Sequence, residues 1–424
     1  MGISGQRALE LLGKISYVRL GGTPEEEKAV DTLVAELASF GVEGTKETFP
    51  IDCYKVSKAT FTVLEPYVQE YTVTGVGMSG NTAEGGLEAD LLYVGKAEAA
   101  DLLGAEGKIV LLGDRPSVEV YGRLMKAKVA GVVVINGNVF DNPNDTDLGL
   151  LSLRAGHMKH GVVPGVTIRA VDALDIVKRQ ATRGCIVLQQ EQGKAESLNL
   201  VADIPGSLYP NEVIVYTAHI DSVPFSTGAN DNGAGSVILM EIARHFAKHQ
   251  PLRSVRFVWC GDEETGLHGS FAYVAKHEGD LGNVILNINV DVAGAYLGSN
   301  TTIVTGPAGA VDVIDYLCKE IGVSMTVRHD VYSSDSVPFA EIGIPGVNFC
   351  RFGAPIHNRH DKIEYISADR LAELAEVTLL FSQRTINAQV FPVARELPDS
   401  IKKKVIDYLK NSRGKDMEIP AALK

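Results

Sequence analysis

At 424 residues the chain is too long for one ordinary hydrophobic core, and two domains are expected. Hydrophobic content of 45% and charged content of 22% are those of a soluble globular protein. A net charge of −13 argues against a nucleic-acid or anionic-membrane surface, since either calls for a basic face.

The N-terminus, Met1-Gly-Ile-Ser-Gly-Gln-Arg7, leads straight into an amphipathic pattern with Glu10 and Lys14. It has no apolar signal core, and no stretch of the chain approaches a transmembrane length, so a cytoplasmic location is expected. Residues 5–15 and about 24–41 read as helices. The second opens with Thr23-Pro-Glu-Glu-Glu27, which supplies an N-cap, a proline at the first helical position and acids for the positive dipole end. Gly41 stops it. Thr45–Tyr54 and Lys58–Leu64 alternate apolar and polar residues as strands do.

From about 60 to 195 the texture changes to short β-rich pieces: Asp90–Val94, Lys108–Leu112, Gly131–Ile135, Val162–Ile168 and Cys185–Gln189, with one helix at Glu119–Val129. The segments Gly107-Lys-Ile-Val-Leu-Leu112, Ala127-Lys-Val-Ala-Gly-Val-Val-Val-Ile-Asn136 and Val163-Pro-Gly-Val-Thr-Ile168 resemble the protease-associated domain, a β-rich module inserted into several peptidases. Five cysteines, Cys53, Cys185, Cys260, Cys318 and Cys350, lack CxxC spacing and read as buried thiols, neither a disulfide framework nor a cysteine zinc site.

From about 196 onward strands and helices alternate: strands at Glu212–Tyr216, Ser254–Trp259 and Val284–Val290, and an amphipathic helix at Ala234–His249. This pattern predicts an α/β fold with a mostly parallel central sheet flanked by helices. In such sheets functional groups gather beyond the carboxyl ends of strands. His219, the neighbours Glu263 and Glu264, and Asp291 each follow a strand there. The tail after about 395 carries a short amphipathic stretch, Ile401–Leu409, able to pack on the body or on a neighbour.

Singly these residues have ordinary readings. His219-Ile-Asp221 alone is more often a surface turn, although a carboxylate two residues on suits a metal-ligating imidazole. Asp231, in Gly228-Ala-Asn-Asp-Asn-Gly-Ala-Gly-Ser236, alone would be an Asp helix cap. Glu263 and Glu264 end an apolar strand and are turned at once by Thr265-Gly266, an arrangement in which one carboxylate binds metal and the other stays off it as general base. Asp291 ends an apolar strand, where an unpaired carboxylate is costly. Ile356-His-Asn-Arg-His-Asp361 offers His357 or His360 together with a carboxylate. Together, in this order, they are the carboxylates and imidazoles of a hydrolytic zinc site.

The combination resembles peptidase family M twenty-eight, the co-catalytic di-zinc aminopeptidases. Its pattern has an H-x-D, an N-D-N-G-x-G-S loop, a G-x-E-E-x-G-L-x-G-S turn, an N-x-D strand end and a distal H-x-x-x-D. This chain carries all five across roughly 200–380, with Ser334-Asp335 and Gly343-Ile-Pro345 besides. The resemblance implies a three-layer zinc-peptidase domain formed by 1–60 and 196–424, with a small β-rich inserted domain at 61–195. It implies two Zn²⁺ ions, replaceable by Co²⁺ or Mn²⁺. His219 and Asp291 would hold one and Glu264 and His357 the other, with Asp231 bridging, Asp221 orienting His219 and Glu263 as general base. It also implies a cis peptide at Asp231–Asn232.

Ser336 stands where many members have histidine, Ile356 where some place a carbonyl-polarising tyrosine, and Lys362 where threonine is usual. These departures touch substrate contacts and the oxyanion partner, for which Tyr332 is a candidate. The expected substrates are peptides with a free N-terminus, and neither nucleic acid nor membrane is an expected partner. A homo-oligomer is compatible with the chain, the inserted domain being suited to restricting access or to a subunit contact. Rival readings are a glutaminyl cyclase, a carboxypeptidase using Arg351 and Arg359, or a non-catalytic binding protein on the same scaffold. A mononuclear metalloprotease is excluded by the lack of an H-E-x-x-H helix.

Overall fold

The computed structural model describes residues 2–142, 144–145 and 148–424. The chain forms two units. One comprises the residues up to Ile51 together with Glu196–Asp407 and Ile419–Lys424; the other comprises Asp52–Ala195 and Tyr408–Glu418.

The first unit is built on a sheet in which Thr326–His329, Ser299–Thr305, Gly346–Phe352, Val284–Val290, Tyr209–His219, Arg253–Cys260 and the end of Arg183–Ile204 lie side by side. The inner four strands, from Gly346–Phe352 to Arg253–Cys260, pair in parallel. Antiparallel pairings appear toward either side, between Ser299–Thr305 and Gly346–Phe352 and between Arg253–Cys260 and residues 200–204. Burial on both faces explains why these strands read as near-continuous apolar runs.

Alternate residues of the Tyr209–His219 strand serve different cores. Ile214, Tyr216 and Ala218 pack with Leu12, Leu33, Ile238 and Leu374, side chains of the helices Gly5–Ile15, Pro24–Ala38, Ala234–Lys248 and Ala368–Ile386. Val215 joins Val258, Cys260, Tyr273 and Phe339 on the opposite face, under His268–Lys276 and Val337–Glu341. The result is helix, sheet, helix: three layers, as the alternation of elements predicts. Arg7 and Ser4 lock the first helix to Glu241, with Arg7 Nε donating at 2.6 Å and the Ser4 amide at 2.9 Å.

The second unit holds Leu87–Tyr93, Ile109–Leu112, Gly131–Asn136 and Gly165–Arg169 in parallel, with Val73–Gly75 antiparallel at one end. Helices Val118–Lys126 and Ala170–Lys178 accompany them. The sequence pattern predicts only the first of these; Ala170–Lys178 is a second helix within the β-rich stretch.

Several predicted boundaries shift. Thr45–Tyr54 and Lys58–Leu64 are one strand, Gly44–Glu65, because Lys55-Val-Ser57 contains neither glycine nor proline to break the alternation. Cys185–Gln189 is likewise the start of the longer strand Arg183–Ile204. The second helix ends at Ala38, and Gly41 then turns the chain at φ 83°, with the Val42 amide reaching back to the Leu37 carbonyl at 3.2 Å.

The tail forms the helix Asp399–Arg413. In the first unit its Ile401 and Val405 are fully buried, and Lys404 donates to the His329 carbonyl at 2.9 Å, so this stretch packs on the body. Among the described residues no helix is long and apolar enough to cross a membrane.

Candidate metal centre

Four loops at the carboxyl edge of the sheet bring the predicted residues together. His219 is the last residue of its strand, 1% exposed, and its carbonyl accepts from Ser236 Oγ at 2.9 Å. Two residues on, Asp221 is equally buried, with Oδ1 3.4 Å from His219 Nδ1. Its two oxygens also accept the backbone amides of Glu263 at 3.0 Å and Glu264 at 3.2 Å. One carboxylate therefore sets both the imidazole and the turn that carries the paired glutamates.

Asp231 occupies the middle. Its Oδ1 lies 3.1 Å from His219 Nε2 and its Oδ2 lies 3.0 Å from His357 Nε2. The same His357 nitrogen is 3.1 Å from Glu264 Oε2. On the other side His219 Nε2 is 3.4 Å from Asp291 Oδ1 and 3.9 Å from Glu263 Oε2. The residues thus fall into two groups, His219 with Asp291 and His357 with Glu264, joined through the two oxygens of Asp231. From the distal motif it is the His357 ring that meets them.

The loop holding Asp231 is fixed from several directions. The Asp231–Asn232 peptide is cis. Asn232 Nδ2 donates to the Val290 carbonyl at 2.9 Å, and its Oδ1 accepts the Gly235 amide at 3.0 Å. Asp361 takes the amides of Asn230 and Asp231 at 2.7 and 3.1 Å. The carboxylate of the H-x-x-x-D motif therefore serves the bridging loop, a role that the sequence did not reveal. Ser334 was visible only as part of a motif; its hydroxyl donates to Asp291 Oδ2 at 2.5 Å and accepts from Asn289 Nδ2 at 2.9 Å. Asp262, Leu267, Val292 and His357 all have φ between 48° and 61°. Left-handed backbone at a β-branched valine is costly, and its clustering beside the ligand-type side chains marks a functional site.

Electrostatics say what the cluster lacks. Burial, then Glu264, Asp335 and Asp291, push Glu263 well above the usual carboxylate range. Burial and Asp231 raise Glu264 to about 7, and burial raises Asp335 to about 7. His357, beside Asp231 and Glu264, is raised to about 11. For His219 burial acts downward, but Glu263, Asp221, Asp231 and Asp291 outweigh it and hold the ring protonated. Asp231 is kept low: burial opposes ionisation, and the two imidazoles overcome it. Two imidazoles do not neutralise this many acids. Glu264 Oε1 and Asp291 Oδ1 are buried with no hydrogen-bond partner. Donor atoms of His219, Asp231 and Glu264 lie within 4.8 Å of one another, a spacing that one cation can span. Orphaned oxygens and excess buried negative charge fit divalent metal held by N and O ligands.

Arg351, one of the arginines considered for a carboxylate-ended substrate, is committed elsewhere. It is 4% exposed and donates to the Ala295 carbonyl at 2.7 Å and to Asn300 Oδ1 at 2.9 Å.

The chain is similar to several known proteins. Residues 199–382 match the model of peptidase family M28. Aminopeptidase YwaD of Bacillus subtilis is 27% identical over 406 residues, covering 91% of this chain and 84% of that protein. Carboxypeptidase Q of Mus musculus is 30% identical over 303 residues, covering 66% of this chain and 62% of that one. Among solved structures, BSAP, a zinc aminopeptidase from Bacillus subtilis, superposes with a TM-score of 0.77 at 24% identity, covering 93% of this chain and 99% of that one. The aminopeptidase from Aneurinibacillus sp. strain AM-1 gives 0.75 at 23% identity, covering 92% and 96%. Residues 199–382 thus carry the likeness to peptidase family M28, and the chain is a peptide hydrolase.

Proposed function

We propose that the protein is an aminopeptidase that works with two zinc ions, one at His219 and Asp291, the other at His357 and Glu264, with Asp231 shared between them. The observation that carries this reading is that the two oxygens of Asp231 face two different imidazoles, each with a further carboxylate beside it. Zinc bound there supplies Lewis-acid polarisation of the scissile carbonyl and acidification of the attacking water.

The protein groups do the rest. Glu263 accepts the proton of the water at its carboxylate and returns it to the leaving amine. It suits the task because, among the described residues, no imidazole lies within hydrogen-bonding distance of it; His219 Nε2 is 3.9 Å away. Asp291 and Glu263 together offer negative charge to a substrate α-ammonium, which favours cleavage at the N-terminal bond. Tyr332 is the candidate donor to the developing oxyanion: burial, then Asp291, Cys350, Asp231 and Glu263, keep its phenol protonated beside this cluster.

Asp221→Asn is expected to weaken zinc binding roughly 10–100-fold, the usual cost of losing an outer carboxylate on a ligating histidine. Competition with a chromophoric chelator measures it.

The function itself is tested by metal content and peptide hydrolysis on one preparation. Two zinc ions per chain and cleavage of free-amino peptides but not N-acetylated ones are the expected outcome. The relatives named carboxypeptidase Q supply a second reading, in which N-acetylated peptides with a free C-terminus are cleaved. Cyclisation of a glutaminyl peptide without hydrolysis would indicate the cyclase instead.

A further inference from the structure

Between the first two helices the chain runs beneath the loops just described, and one side chain of that connection is unlike the other buried arginines. Arg19 is 0% exposed. Its guanidinium gives every described hydrogen bond to a main-chain carbonyl. Nε donates to Ile220, Nη1 to Ile15 at 3.0 Å, Tyr17 at 3.1 Å and Thr227 at 2.6 Å, and Nη2 to Gly228 at 2.8 Å. Ile220 sits between His219 and Asp221, while Thr227 and Gly228 lead into Asp231. Its backbone takes part too: the Arg19 amide donates to Ser222 Oγ at 3.1 Å.

The charge is as telling as the contacts. Arg253, also buried, has Glu212 at 2.6 Å, and Arg351 has Glu373 at 3.6 Å. Among the described residues no carboxylate lies within ion-pair distance of Arg19. Besides Tyr17, the negative charges that act on it are those of Asp221, Asp361 and Asp231, which belong to the site or hold it. An arginine kept only for stability is expected to carry its own counter-ion, as the other two do. The fit is also close. A Cβ at Gly228 or Gly233 would come within 3.0 or 3.2 Å of Arg19 Nη2, so the loop is moulded onto this guanidinium.

We propose that Arg19 is a positioning residue for the metal centre: it ties the His219–Asp221 turn to the Asp231 loop and so sets the separation of the His219 and Asp231 side chains. The inference rests on the two-metal reading above. Arg19 touches neither substrate nor metal and acts through the carbonyls of both loops. A lysine keeps the charge but is a point donor and cannot span five acceptors, so it substitutes only in part.

The test uses the full chain stripped of metal, with zinc affinity read by chelator competition and the metal-free thermal midpoint read alongside. Four proteins are compared: wild type, Arg19→Met, Arg19→Lys and Leu37→Ala, the last a core substitution on the second helix, away from the site. Arg19→Met is expected to lose roughly 10–100-fold in zinc affinity, with Arg19→Lys intermediate. Leu37→Ala should lower the midpoint and leave the affinity alone. An affinity that falls no further in the arginine variants than in Leu37→Ala overturns the proposal. If Arg19→Met does not fold, Arg19→Lys carries the same comparison. A wild type that takes up no zinc overturns the metal reading itself and this inference with it.

Discussion

Glu263→Gln should lower turnover by roughly 10²–10⁴-fold with zinc content unchanged. The glutamine keeps the shape of the side chain and leaves the backbone amide of residue 263 bonded to Asp221, so the turn presenting Glu264 is undisturbed. What disappears is the ability to take a proton. In barrier terms the loss is about 3–5 kcal/mol. Burial, with Glu264, Asp335 and Asp291 around it, raises the proton affinity of Glu263, as a base that draws a proton from an acidified water requires. Saturating kinetics and elemental analysis on the same sample separate the two quantities. If metal and turnover fall together, Glu263 is a ligand, and the division of labour between the paired glutamates is wrong.

The second large effect is expected at Asp231. Asp231→Asn should bind fewer than two zinc ions and lose more than about 10³-fold in activity, beyond the 10–100-fold typical of an outer partner. One carboxylate faces both imidazoles, at 3.1 and 3.0 Å, and an amide offers only one acceptor oxygen in its place. The same substitution should blunt stabilisation by metal. For wild type, zinc at 100 times its dissociation constant adds about 2.7 kcal/mol per site. Thermal denaturation with and without added zinc reads this directly, and a variant whose midpoint rises as far as that of wild type would contradict a shared ligand.

Much of the fold was legible because parallel strands buried on both faces advertise themselves as apolar runs, and their carboxyl ends could be marked. Tyr209–His219 and Val284–Val290 end at or beside His219 and Asp291. The residues that support the site were harder to read. Arg19 bonds to carbonyls, which every residue has, so nothing in the neighbouring sequence names its partners. Asp361 and Ser334 act across 131 and 43 positions, on the Asn230 amide and on Asp291, and short-range spacing carries no trace of such contacts. The long strands Gly44–Glu65 and Arg183–Ile204 were cut short for a different reason: their polar stretches, such as Glu191-Gln-Gly-Lys194, look like loop when burial is unknown.

The split of the first unit along the chain has a consequence for its biogenesis. Helices Gly5–Ile15 and Pro24–Ala38 bury Leu12, Ile15, Leu33 and Leu37 completely, in a core that includes Leu200, Ile214 and Tyr216. On a ribosome those partners emerge some 200 residues later, about 10–40 s at ordinary elongation speeds. The intervening Asp52–Ala195 is continuous and free to collapse meanwhile, whereas the apolar stripes of the first helices stay wet and sticky until the Tyr209–His219 strand is made. The cluster around Asp231 waits on His357 in the same way, and so is among the last parts to close.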